Sequence, residues 1–377
     1  MPAVSSHVST HDAIVIGGGL VGAAIAYGLT RRGLKPVLLD EGDVALRAAR
    51  GNFGLVWVQS KGCGVPEYQR WTRLSSELWT EFAAGVKEAS GVDPRHERQG
   101  GLSICLSDDE LTGRRQMLEQ IHAEQGETNF EYEIIDRAEL KRRVPAVGPE
   151  AVGASYTRYD GAANPLYLLR GLHAAILERG GAYVQQARVD RIDARPNAFT
   201  VTAGGGVHAA PRLVLAAGLG NQALAPLVGL DAPVRPVRGN IVVTERIAPV
   251  IPLSHTIRQM PEGGLLLGDS FEEAGYDDFT SLTPLRAITE RAVRTFPFLR
   301  DVNVVRTWAA LRVMSPDGLP IYDQSQRCPG AFLATCHSGV TLAGAHALRY
   351  AEYVADGALP PELARFTAAR FHVSKAA

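Results

Sequence analysis

The chain is 377 residues long, with 39 basic against 40 acidic side chains and a formal net charge of −1. That length suggests about two domains around a large core, and the balanced, mixed charge excludes the field expected of a nucleic-acid or membrane-surface binder. The four cysteines, Cys63, Cys105, Cys328 and Cys336, form no CxxC pair, so no metal centre, iron–sulfur cluster or disulfide framework is expected, and the reading is a cytoplasmic protein.

The opening residues, MPAVSSHVSTHD, lack the basic region and apolar core of a signal peptide, and no apolar run approaches the ~18 residues of a membrane span. From Ala13 to Asp40 the chain reads AIVIGGGLVGAAIAYGLTRRGLKPVLLD: an apolar run, spaced glycines, an alanine-rich helix to Arg32, a second apolar run and a terminal acid. That is the order of a βαβ dinucleotide-binding unit. Gly17 permits a tight turn, Gly19 lets a pyrophosphate approach the backbone, and Gly22 lets helix and strand pack closely. The diphosphate is expected at the helix N-terminus, beside Leu20 and Val21, where unpaired N–H groups and the helix dipole favour an anion. Asp40, about 20 residues beyond the first glycine, is placed to accept hydrogen bonds from a ribose diol.

The next segment, EGDVALRAARGNFG, suits backbone lying along a flat ligand around Asn52, or else a solvated basic loop. An apolar run, 55–58, ends in the polar tail Gln59, Ser60 and Lys61. Residues 67–90 carry Trp71, Leu74, Leu78, Phe82 and Val86 at steps of three and four, which predicts an amphipathic helix with its tryptophans in a core. GGLSICL reads as a strand, and 108–125 as a helix with Asp108 and Asp109 as cap and first-turn acids. EYEIID and AELKRRVP read as a strand and a helix that stops near Pro145. GASYTRYDGAANP is strand, turn and loop, followed by a helix over 165–179 that starts at Pro165 and ends at Gly180 and Gly181.

YVQQARVDRIDARPNAFTVTAGGGVHA alternates as a β-meander with AGGG as its turn. PRLVLAAG, residues 211–218, is a strand buried on both faces that finishes in small residues where a ligand could approach. Residues 233–271 read mainly as β, TPLRAITERAVRTFPFL as an amphipathic helix, and RTWAALRVMSPDGLPIYD as a strand with a turn. PGAFLATCHSGVTLAGAHALRYAEYVADG closes with a strand, a tight turn and a last helix. The alternation predicts an α/β protein with a discontinuous α+β second domain. A Rossmann-like dinucleotide domain comes from 1–90, 146–230 and 311–377. An antiparallel-sheet substrate domain comes from 91–145 and 231–310, with chemistry where the two meet.

On these residues the chain resembles the FAD-dependent family that includes D-amino acid oxidase, glycine oxidase and the sarcosine oxidases. The resemblance spans nearly the whole length. It rests on VIGGGLVGAAIAYGL with LLDEG, RAARGNFGLV, LVLAAGLGN, PVRGNIVV, GGLLLGDSFEEAGYD, RTWAALRVMSPDGLPIYD and ATCHSGVTLAG. Its GNFGLVWVQSKG and CHSGVTLAG segments look most like the flavin subunits of bacterial opine, D-hydroxyproline and hydrogen-cyanide-forming dehydrogenases.

The resemblance implies non-covalent FAD stretched between the domains. Gly17, Gly19, Leu20, Val21 and Gly22 would meet the diphosphate, and Asp40, with Glu41, the adenosine ribose. Val189, Ala217 and Gly218 would close near the cofactor. Asn52, Phe53, Gly54 and Leu55 would lie along the flavin, and His337, Ser338, Gly339, Val340 and Thr341 would surround its O2 edge and ribityl chain. The family usually has glutamate where Asp40 stands and commonly serine where Ala49 stands. Cys336 is read as a packing residue rather than a covalent flavin link.

The resemblance also makes Arg312 the partner of a substrate carboxylate, which a planar guanidinium can hold bidentately. The alternative for Arg312 is an ion pair that ties its strand to a neighbour. His255, Thr256, Arg258 and Phe271 fall where the family lines the substrate pocket, Thr256 standing where glycine oxidase-like members can have a tyrosine. His337 is read as an orienting residue and not a base. Flavin oxidation of an amino acid needs the α-hydrogen aimed at the flavin N5 atom and an unprotonated amine, with no base at that carbon. The implied activity is oxidation of the C–N bond of a small amino acid or secondary-amine amino acid, of D-amino acid, D-hydroxyproline or opine type, to an imine by hydride transfer to flavin. Two alternatives stand beside it: oxidation of a hydroxy acid on the same scaffold, and a flavin subunit that passes electrons to partner subunits. A homo-oligomer is also open.

Overall fold

The run Ala13–Ile16 has no polar side chain to keep in water, and it is fully buried as an inner strand of a six-stranded sheet. The computed structural model describes residues 8–42, 48–126, 130–248 and 251–372, so part of the loop after Asp40 lies outside the described residues. The sheet runs in the order Ile321–Gln324, Ala331–Thr335, Leu213–Leu215, Ala13–Ile16, Pro36–Leu39, Ala182–Val184. Its first strand is antiparallel and the other five are parallel. Parallel strands need cover on both faces. One face takes helices Leu20–Arg31, Pro66–Ser90 and Pro165–Glu178 and the last helical stretch, around a core that includes Trp71, Trp79 and Phe82. The other takes the sheet of Val189–Arg195, Ala198–Ala203 and Gly206–Ala210, which inserts Phe199 and Val201. Gly204 and Gly205 turn the last hairpin at positive φ, where the AGGG pattern predicted it.

A second core gathers Leu102, Ile104, Ile135, Val242, Leu265, Leu267, Ile288 and Phe296. It lies between a three-stranded antiparallel sheet and a four-stranded one made of Arg235–Arg246, Ile257–Gln259, Gly264–Leu267 and Val304–Met314. Strand Gly153–Thr157 pairs with both Gly101–Cys105 and Glu133–Asp136 and contributes Ala154 to this core, although the sequence pattern grouped it with the nucleotide segments. The helix Asp108–Gln125 is capped by Ser107 rather than by Asp108. Ser107 Oγ accepts from Glu110 N (3.2 Å) and Glu110 accepts from Leu106 N (2.9 Å), a reciprocal cap that leaves Asp108 and Asp109 to face the helix dipole. Among the described residues no helix is long and apolar enough to cross a membrane.

Candidate active site

The nucleotide end is built by the carboxyl ends of the parallel strands, the usual ligand crevice of such sheets. Gly17 turns at φ +111, and a Cβ there would lie 2.4 Å from Ala216 O; a Cβ on Gly22 would lie 2.0 Å from Gly17 O. Strand, turn and helix therefore pack backbone against backbone. The helix that starts at Leu20 has no side-chain cap and no acid in its first turn, and a Cβ on Gly19 would meet only Ala49 Cβ, at 3.8 Å. Bare N–H groups beside open space are what a diphosphate requires. Asp40 accepts from Gly18 N (2.7 Å) and Gly42 N (3.0 Å), leaving acceptor capacity for a hydroxyl, with the exposed Glu41 beside it. Ala187 N donates to Asp40 O (2.7 Å), which brings the strand that starts at Val189 to this edge. Across the crevice, Ala217 N is held by Asn221 Oδ1 (2.9 Å) and Gly218 adopts φ +58.

The other end is the turn after strand Ala331–Thr335. Trp79 Nε1 donates to Val340 O (3.0 Å), Ser75 Oγ to Thr341 O (2.7 Å) and Tyr68 OH to Ser338 Oγ (3.2 Å), so the long helix Pro66–Ser90 clamps the turn from below. Trp57 N donates to Thr341 Oγ1 (3.1 Å). Ser338 O and Val340 O receive Leu342 N and Ala343 N, while the N–H groups of Gly339, Val340 and Thr341 have no acceptor among the described residues. A Cβ on Gly339 would lie 3.7 Å from Val21 Cγ2, so the two bare N–H clusters adjoin.

Facing this turn is the strand that carries Arg312. The guanidinium lies flat across Gly239 of the paired strand, where a Cβ would come within 2.3 Å of Nη1. Nη1 donates to Ser270 O (2.5 Å) and Arg238 O (3.4 Å), and the ring of Phe271 sits 4.2 Å from Cζ. Nε and Nη2 have no acceptor among the described residues. The strap bearing Ser270 and Phe271 is fixed by Arg238, which pairs with Glu272 (3.0 Å) and Asp277 (2.6 Å). Burial pulls the Arg312 guanidinium below its usual range, with Asp269 opposing that shift. Burial also drives the His337 imidazole well down, helped by the positive charges of Lys61 and Arg312. His255 is lowered by burial against the opposing charge of Asp269. Both rings are thus neutral at neutral pH.

One cleft brings together Asn52, Phe53, Leu55, His255, Arg312, His337, Ser338, Val340 and Thr341 from among the residues that the sequence reading named. Three expected pocket residues stand outside its wall. Arg258 turns away and donates to Phe53 O (2.9 Å), under the segment it was expected to face; Gly54 is glycine because a Cβ would meet Arg258 Nη1 at 2.0 Å. Thr256 presents its carbonyl to Gly268 N (2.9 Å), and Phe271, 60% exposed, covers Arg312 from outside. The sequence reading missed Trp57, Lys61 and Asp269, which also line the cleft. The polar tail after the 55–58 run was the available signal for Lys61; Asp269 had none.

Two adjoining clusters of bare N–H groups beside a parallel sheet, with a buried arginine across the same cleft, fit an enzyme that holds a long dinucleotide cofactor next to a smaller ligand site. The chain belongs to the DAO family, FAD dependent oxidoreductase, which it matches over residues 12–353. It is 44% identical to an opine oxidase subunit of Agrobacterium tumefaciens (strain Ach5), covering 97% of this chain and 99% of the relative. Hydrogen cyanide synthase subunit HcnC of Pseudomonas aeruginosa is 29% identical, with 98% of each chain covered. The structure of glycine oxidase from Geobacillus kaustophilus superposes with a TM-score of 0.84 at 22% identity, covering 96% of this chain and 98% of the other, and so shares the fold. FAD is the cofactor of the family, and the bare N–H groups at Leu20–Gly22 and Gly339–Thr341 fit its diphosphate and an electron-rich ring edge.

Proposed function

We propose that the chain oxidises the C–N bond of an amino acid, with an opine-type secondary amine as the preferred class and D-amino acids or D-hydroxyproline as the neighbouring ones. The observation that carries this reading is Arg312, anchored through Nη1 with two donor positions open, in the same cleft as the His337–Thr341 turn. The full-length likeness to the opine oxidase chain supports the preferred class. Bound FAD supplies the acceptor for the two electrons and the hydrogen that leave the substrate carbon. The chain's residues fix the substrate. Arg312 holds the carboxylate, Phe271 shields that pair from water, and neutral His337 orients the turn without taking a proton from carbon. The imine product is hydrolysed by water or stays cyclic.

Anaerobic mixing with a panel of N-substituted amino acids, D-amino acids and hydroxy acids tests the reading. Bleaching of the flavin absorbance by the amines is expected; bleaching by hydroxy acids alone overturns it. Non-covalent FAD is part of the proposal, because burial raises the Cys336 thiol to about 12 and keeps it from attacking as thiolate. Acid precipitation should leave a colourless pellet and a yellow supernatant. Replacing Gly239 by Ala should push the guanidinium off its seat and weaken carboxylate ligands by about 10-fold or more, read as a titration of flavin absorbance with FAD content retained.

A second reading concerns where the electrons go next. Two relatives of full length are named as subunits, which supports a flavin-bearing subunit with a partner. Phe279 and Leu282, 78% and 85% exposed, are apolar side chains available to such a contact. Slow reoxidation of the reduced chain in air favours that arrangement, and rapid peroxide formation favours a self-sufficient oxidase or homo-oligomer.

A further inference from the structure

Lys61 closes the polar tail of the 55–61 segment, and its position is set from beneath. The buried Asp160 carboxylate accepts from Val58 N (2.6 Å), Gln59 N (3.3 Å) and Gln59 Nε2 (2.5 Å), and Lys61 N closes a turn on Val58 O (2.9 Å). Arg114 fixes Gln59 in turn, through Nη2 to Oε1 (2.6 Å). The lysine side chain enters the cleft that Arg312 and His337 also line, and no hydrogen bond or ion pair reaches its Nζ among the described residues. Lys61 is half-buried, and a cation partly drawn out of water gains from a partner that replaces its lost hydration.

The charges around Lys61 show what the partner must be. Arg312 repels it, and Asp269, at the exposed mouth, attracts it from beyond ion-pair distance. His255 and His337 carry no charge at neutral pH, and the half-buried Cys336 and the buried Asp160 have their acid groups shifted up, to about 12 and about 7. Burial lowers the Lys61 ammonium to about 8, so it remains charged at neutral pH. The cleft therefore presents two cations with open donors and one carboxylate. A substrate with two carboxylates and one ammonium has the complementary set.

We propose that Lys61 binds a second carboxylate of the substrate, so that the cleft takes an amino diacid, one carboxylate on Arg312, the other on Lys61 and the amine on the Asp269 side. This rests on the amine-oxidising reading above. It makes Lys61 the residue that selects N-carboxyalkyl amino acids over simple N-alkyl ones.

Two ligand pairs that differ only in the second carboxylate test it. Iminodiacetate and N-methylglycine report oxidation; oxydiacetate and methoxyacetate, which lack the amine, report binding through the flavin absorbance. In the wild-type holoenzyme the diacid of each pair should be favoured about 10- to 100-fold. In Lys61→Met the preference should collapse in both pairs, and Lys61→Arg should keep most of it; flavin content checks that each variant is folded. A preference unchanged in Lys61→Met, or absent from the wild type, overturns the assignment. An equal loss for both members of a pair also overturns it, and would make Lys61 a group acting on the cofactor. If neither amine bleaches the flavin, the amine-oxidising reading fails, while the oxydiacetate and methoxyacetate affinities still decide the role of Lys61.

Discussion

Arg312→Met should lower kcat/KM for carboxylate substrates by about 10²- to 10³-fold, the cost of removing one partner of a desolvated, hydrogen-bonded charge pair. The structure gives three reasons to expect the upper part of that range. The guanidinium is pinned by Ser270 O, so little ordering entropy is left for the substrate to overcome. Phe271 stacks on it at 4.2 Å, which keeps water from replacing the lost contact. Its open donors are Nε and Nη2, the geometry for two parallel bonds to one carboxylate. Arg312→Lys should recover little, because an ammonium cannot reproduce the fork. FAD content should match wild type, since Arg312 lies on the antiparallel sheet and belongs to neither of the bare N–H clusters. Steady-state kinetics beside a flavin spectrum check both statements, and unchanged kinetics would sink the assignment.

The opening unit was legible because each of its requirements is local: the strand, the glycines, the helix and the acid lie within one stretch of chain. The long helix 66–90 was legible for the same reason, with Trp71, Phe82 and Val86 buried as its periodicity predicts. Leu74 and Leu78 are only half-buried, because Thr72, Ser75 and Ser76 turn inward beside Trp79, and Ser75 and Trp79 hold the Val340–Thr341 turn. What depended on contacts far apart in sequence was harder to read. Asp40 looked one methylene too short for its role. In the structure it rests against Gly18, where a Cβ would lie 2.8 Å from Asp40 Cβ, and the short acid reaches Gly18 N directly. Arg258 and Phe53 are 205 positions apart, so no pattern near either foretold that the arginine would turn away from the cleft. Lys61 stood in a recognised segment, yet its meaning comes from Arg312 and Asp269, which approach it only after the two sheets meet.

Gly22→Ala and Gly19→Ala should both strip the protein of FAD, and for different reasons. At Gly22 the new methyl would lie 2.0 Å from Gly17 O and 3.1 Å from Ala216 Cβ. The carbonyl has nowhere to retreat: Gly17 N is bonded to Leu39 O (2.8 Å), and Ala216 N to Ile16 O (2.8 Å), so any shift opens the sheet at its inner strands. Overpacking of that kind costs about 1–3 kcal/mol in the protein itself, and the displaced turn should weaken FAD by at least about 100-fold, or about 2.7 kcal/mol. Gly19 already has backbone angles any residue adopts, φ −71 and ψ −176, and its methyl would find Ala49 Cβ only at 3.8 Å. Gly19→Ala should therefore fold as well as the wild-type chain when both lack FAD, and lose affinity because the methyl takes the space through which a diphosphate reaches the bare N–H groups. Thermal unfolding of the two apoproteins, set beside FAD titrations, separates the effects. A lowered apo Tm in Gly22→Ala alone, with FAD binding impaired in both, is the expected pattern. Wild-type affinity in Gly19→Ala would show that the diphosphate does not approach at this turn.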